Sequence, residues 1–110
     1  MTVFWTNHDL LLKRLRDAAA QVRQDCPEVK EVRLFGSVAR HRETAASDAD
    51  LLLIVESTDA PVLRRAERYQ PYFDTVGFPV ELFVYTVDEA ASQEPALLKT
   101  ALETGYLITY

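Results

Sequence analysis

Between Leu34 and Val55 the chain passes from apolar to polar and back. Leu34-Phe35 ends in Gly36-Ser37, ten residues follow (Val38 to Ser47), and Asp48-Ala49-Asp50 then leads directly into Leu51-Leu52-Leu53-Ile54-Val55. Five apolar residues in a row show no alternation, which predicts a strand buried on both faces. The whole stretch reads as strand, tight turn, short helix, loop, strand. It sets a glycine turn at the end of one strand and a pair of carboxylates at the start of the next.

The flanking sequence supplies the scaffold. Asn7 is a plausible N-cap with Asp9 in the first turn, and Leu11, Leu15, Ala18 and Val22 recur at helical spacing, widened by Leu12 and Ala19. Pro27 stops that helix. Lys13, Arg14, Arg16, Asp17 and Arg23 lie mostly off the apolar stripe and read as a solvated face, as do Arg64, Arg65 and Arg68. Ahead of the helix, Val3, Phe4 and Trp5 suit a cover for one end of the core or a partner surface, a role open to Tyr110 as well. Lys30 to Phe35 alternates as a first strand. Ser37 is placed to cap one or two turns over Val38 to Arg42, and Glu43 to Ser47 is a loop. Ser57, Thr58, Asp59 and Pro61 signal the start of a helix carrying Val62, Ala66 and Tyr69, ended or kinked by Pro71. Pro79 to Tyr85 is a third strand, with Val80, Leu82 and Val84 on one face and Glu81, Phe83 and Tyr85 on the other. Asp88-Glu89 opens a short helical segment, Pro95 begins a last helix, Gly105 ends it, and Tyr106 to Tyr110 has the character of an edge strand.

This order predicts an α/β (α+β) fold: a small mixed sheet flanked by helices. The first two strands are joined by a short link and pair antiparallel. The second and third are joined through a helix, and a crossover of that kind makes a parallel pair. With 110 residues, 48% of them hydrophobic, the chain fits one domain, residues 1–110, with a real core. A formal net charge of −5 argues against a stand-alone nucleic-acid binder. The single cysteine, Cys26, excludes an intramolecular disulfide and reads as a buried or incidental thiol. His8 and His41 are too few and too scattered for a His-rich metal site, with His8 expected at the surface and His41 in loop structure. With no basic-then-apolar N-terminus and no membrane-length apolar run, the expected location is cytoplasmic.

Asp48 and Asp50 stand two apart, so an extended backbone sets both carboxylates on one face. Like charges so placed repel, which calls for a cation between them, and closely held oxygens suit magnesium. Antiparallel pairing brings Gly36-Ser37 beside them, where Gly36 lets backbone approach a ligand closely. Ser37 adds a hydroxyl near free N–H groups that attract phosphate. Phosphates beside magnesium imply a nucleoside triphosphate. Glu81, near the start of the parallel strand, is the third carboxylate; a buried charge there needs a purpose, and three carboxylates can hold two magnesium ions. Taken singly, each of these features has a bland reading as a turn, a loop aspartate or a surface glutamate.

Together, Gly36-Ser37, ten residues, Asp48-x-Asp50 and a later carboxylate on the next strand resemble the minimal nucleotidyltransferases of the DNA polymerase β superfamily. The resemblance runs from the strand before Gly36 to the strand of Glu81 and the flanking helices. It implies Ser37 on the triphosphate, Asp48, Asp50 and Glu81 as metal-binding and catalytic carboxylates, and Arg40, in its Gly-Ser-x-Ala-Arg context, supporting the loop or the phosphates. His41 stands where the family usually has Gly, and Glu81 where it usually has Asp. The implied activity is magnesium-dependent transfer of a nucleoside monophosphate, AMP from ATP foremost, to an acceptor hydroxyl. A small helical HEPN-type partner is the implied acceptor, the chain serving as antitoxin of a toxin–antitoxin pair. Two alternatives stand beside it: a catalytically weak module that neutralises such a partner by contact, and a catalytic subunit acting on an antibiotic or an RNA end.

Overall fold

The computed structural model describes residues 7–44, 47–92 and 96–109. The roles expected of Val3, Phe4, Trp5, Pro95 and Tyr110 lie outside the described residues.

Helix α1 spans His8–Asp25 and opens as its sequence predicts, with the Asn7 side chain accepting from the Leu10 N–H at 2.9 Å. Leu11, Leu15, Ala18, Ala19 and Val22 form its buried stripe, and the helix gives way to Cys26 just ahead of Pro27. Strand β1 (Val29–Phe35) follows, then the four-residue helix α2 (Gly36–Ala39) and strand β2 (Ala49–Val55). Three consecutive 3-10 segments, Val62–Arg68, Gln70–Tyr72 and Asp74–Val76, lead to β3 (Val80–Thr86). Helices α3 (Val87–Ser92) and α4 (Ala96–Thr104) and the short strand β4 (Tyr106–Leu107) complete the described chain.

The sheet has the order β3-β2-β1-β4. β1 pairs antiparallel with β2 and with β4, while β2 pairs parallel with β3. Both senses agree with the expectation from connection length, and β4 is the anticipated edge strand. β2 occupies the middle, and Leu51, Leu52, Leu53 and Val55 are wholly buried. Each such side chain contributes about 2 kcal/mol by leaving water. Alternation divides them. Leu51, Leu53 and Val55 join Val32, Leu34, Leu82 and Val84 beneath α1 and the 3-10 segments. Leu52 and Ile54 join Phe35, Leu98 and Ala101 beneath α4.

Two local expectations are corrected, and a third holds for a different reason. Val62 to Tyr69 forms 3-10 turns instead of an α-helix: the Thr58 hydroxyl turns back to accept from the Ala60 N–H at 3.1 Å, and no side chain caps the segment. Local bonding of this kind competes with an α-helical start. Ser37 is not an N-cap, since α2 begins one residue earlier, with extended Phe35 in that position and no side-chain cap bond. Gly105 ends α4 for a reason other than a left-handed turn: a Cβ there would sit 2.6 Å from the Ala101 carbonyl and 2.7 Å from that of Leu34. Glycine is demanded by the close docking of the helix end on β1.

Candidate active site

The site is assembled where the end of β1, the start of β2 and the start of β3 lie side by side. Phe35 is in register with Asp50, and Asp50 with Glu81. Registered neighbours share a face, so Asp50 continues the file of Leu52 and Ile54, and Glu81 that of Phe83 and Tyr85. Both carboxylates thus leave the sheet on the side covered by α4.

Gly36 follows Phe35 with φ +77°, in the left-handed region that glycine enters freely. The turn presses its Cα against β2 so closely that a Cβ would overlap Asp50 Oδ2. Ser37 and Val38 then make the single turn of α2. The N–H of Arg40 donates to the Gly36 carbonyl at 3.2 Å, and that of Arg42 to the Ser37 carbonyl at 2.8 Å. One helical turn contributes little dipole, so anion attraction at this turn rests on its free N–H groups. Arg40 is exposed at the C-cap. His41 holds φ +56°, costly for a residue with a Cβ, which is the physical reason that glycine suits this position.

Asp50 is half-buried and its carboxyl is raised above the ordinary range, first by burial and then by the negative charges of Glu81 and Asp48. Asp48 lies one residue before β2 and is exposed. Glu81 is exposed too, so the burial argument for it fails: at a sheet edge its carboxylate reaches water. An all-oxygen donor set in which two carboxylates crowd a third is chemically fitted to a hard divalent cation. A groove of about 680 Å³ along α1 and the segment of Ile108 and Thr109 shares no residue with this site.

Residues 12–105 match the family model of the nucleotidyltransferase domain. The chain belongs to this family. The match spans the Gly36 turn, the Asp48-x-Asp50 pair and the strand of Glu81, in agreement with the resemblance drawn from those residues. Among solved structures, the nucleotidyltransferase domain superposes on a protein from Sulfolobus solfataricus described as a nucleotidyltransferase, with TM-score 0.68 and 19% identity over 97% of this chain and 86% of that one. It also superposes on a chain of a toxin–antitoxin structure with AMP-PNP, with TM-score 0.65 and 19% identity over 84% and 71%. No match is found among curated proteins. Among the described residues, no helix is long and apolar enough to cross a membrane.

Two features were not read from the sequence. Arg65, assigned to a solvated face, is nearly buried and holds Glu89 through both guanidinium ends at 2.7 and 3.3 Å. His8, expected at the surface, is largely covered: it bonds Glu43 at 2.6 Å and stacks on His41, the supposedly scattered second histidine. No local pattern signals either meeting, because their partners are distant in sequence. Cys26 is buried, as expected of it.

Proposed function

We propose that residues 1–110 form one nucleotidyltransferase domain that moves AMP from ATP to an acceptor hydroxyl with magnesium at Asp48, Asp50 and Glu81. The observation that carries the reading is the register Phe35–Asp50–Glu81 with the Gly36 backbone seated on Asp50. It leaves a phosphate-attracting turn and the carboxylates at one end of the sheet. In this reading the backbone N–H groups of Gly36 and Ser37 and the Ser37 hydroxyl hold the triphosphate, and Arg40 supports the loop or the phosphates. Asp48 and Asp50 are the principal magnesium ligands, and two ions are accommodated when Glu81 joins them. Bound magnesium would neutralise the triphosphate and favour departure of pyrophosphate. Glu81, open to water, is free to position the acceptor hydroxyl and take its proton as the oxygen attacks the α-phosphorus.

The acceptor in this reading is a protein, a small helical partner of the HEPN type, with the chain acting in the cytoplasm as the antitoxin of a toxin–antitoxin pair. The toxin–antitoxin neighbour with AMP-PNP supports that context. Glutamate at position 81, where the family usually has aspartate, favours a second reading, a nucleotide-binding module that neutralises its partner by contact.

The test is incubation of the chain, ATP and magnesium with the product of its neighbouring gene, followed by intact-mass analysis. The expected result is a gain of one or more AMP units on the partner, abolished in Asp48→Asn and Asp50→Asn and lowered about a hundredfold or more in Glu81→Gln. ATP affinity in Glu81→Gln should change little. Magnesium-dependent ATP binding with an unmodified partner would overturn transfer in favour of the binding module.

A further inference from the structure

The first turn of α1 meets the loop that follows α2. There the His8 and His41 rings stack, with centroids 3.7 Å apart and planes 22° from parallel. Glu43 reaches back so that its Oε2 lies 2.6 Å from His8 Nδ1. The side chains of His8 and Glu43 are only 13% and 8% exposed. The other carboxylate oxygen, Glu43 Oε1, is buried and meets no hydrogen-bond partner among the described residues. One donor atom from each of the three residues lies within 4.8 Å of the other two.

A buried carboxylate oxygen without a partner is costly, and a cation removes the cost. The three residues together offer two imidazoles and a carboxylate. Nitrogen-rich sets of this kind select zinc and its transition-metal neighbours, whereas magnesium takes oxygen. Bonds of roughly 2.0–2.2 Å in tetrahedral geometry place ligand atoms roughly 3.3 Å apart, so binding replaces the 2.6 Å His8–Glu43 hydrogen bond, tilts the stacked rings until their lone pairs converge, and closes the widest separation, at most 4.8 Å, by up to about 1.5 Å.

We propose that His8, His41 and Glu43 form a binding site for a divalent transition-metal ion of the zinc class, with water as the fourth ligand. The site is separate from the carboxylates of β2 and β3. His41 and Glu43 lie on the chain between Ser37 and Asp48, so the ion ties the start of α1 to the segment that links the glycine turn to the carboxylates. Its effect is to hold that segment, and it takes no part in transfer.

The experiment uses the full chain, stripped with chelator and kept in saturating magnesium. It is titrated with zinc by calorimetry and with cobalt by visible absorption. The expected result is one equivalent of zinc, cobalt bands of tetrahedral form, and a Tm increase of roughly 10 °C at a hundredfold excess of zinc over its Kd. His41→Gly removes an exposed ring and suits the left-handed backbone, so the variant folds. Its zinc affinity should fall by more than the roughly 10- to 100-fold typical of losing an outer-shell partner, and Glu43→Gln should weaken binding as well. The double variant Asp48→Asn, Asp50→Asn should retain zinc. Absence of uptake, unchanged affinity in His41→Gly, or loss of zinc in the double variant would overturn the site, the first outcome leaving a plain His8–Glu43 hydrogen bond beside a stacked ring.

Discussion

At Gly36 two demands fall on one residue. Its φ of +77° excludes most side chains, and the space a Cβ would need is held by the Asp50 carboxylate. Gly36→Ala should therefore cost about 2–4 kcal/mol, adding a left-handed penalty to an overlap that only movement of β2 or Asp50 can relieve. A Tm loss above about 10 °C in a thermal melt is the expected outcome. Asp50→Asn works in the opposite direction. Burial and the charges of Glu81 and Asp48 raise the Asp50 carboxyl in the folded state, so the folded protein holds that proton more tightly than the unfolded chain does. The resulting penalty is absent in acid, grows as pH rises through the raised pKa, and is complete at neutral pH. Asp50→Asn removes it. After allowance for solvent screening, a gain of about 0.5 kcal/mol, or about 2–4 °C in Tm at pH 7, is expected. That gain should vanish below the ordinary aspartate range, which scanning calorimetry at two pH values would check.

At the scale of elements, the segment from Val62 to Val76 is the least regular cover on the sheet, and Arg65 is the side chain that ties its start to the elements beside it. Arg65 donates to the Ala60 carbonyl at 3.2 Å, to the Val84 carbonyl at 3.3 Å and to both oxygens of Glu89. It thus joins the first 3-10 segment to β3 and α3. The planar guanidinium can serve these acceptors together, and a lysine ammonium cannot do so in the same fork. Arg65→Ala should cost about 2–3 kcal/mol, because part-buried acceptors lose a charged donor. Arg65→Lys should recover only a minor part. Chemical denaturation of the two variants measures the difference, and equal loss or no loss in both would refute the role.

For the whole molecule, carboxylates set the response to acid. Partial burial pushes Glu28 up, but the Tyr69 hydroxyl and Arg68 outweigh it and hold the carboxyl below its usual value of 4.5. Arg65 leads in holding Glu89 below the same value, with help from Thr86 against partial burial. Groups lowered on folding contribute stability above their unfolded pKa and lose it as pH falls through the folded one. Asp50 has the opposite sign but is a single group. Tm should therefore be level near neutrality and fall as pH drops below about 4.5; melts between pH 7 and 3 would show it, and a flat profile would count against these pairs. Much of the architecture was legible in the chain itself. Periodicity is local, so the stripe of α1, the two-faced burial of β2 and the phase of β3 could be read directly, and connection lengths implied both pairing senses. The ten-residue gap between Ser37 and Asp48 marked the family. The tertiary structure alone brought His8 within hydrogen-bond reach of Glu43, 35 residues away, buried Arg65, and left Glu81 in water at a sheet edge. Those outcomes depend on how separately formed elements dock, and docking is set by packing across the whole core, which no local pattern of residues encodes.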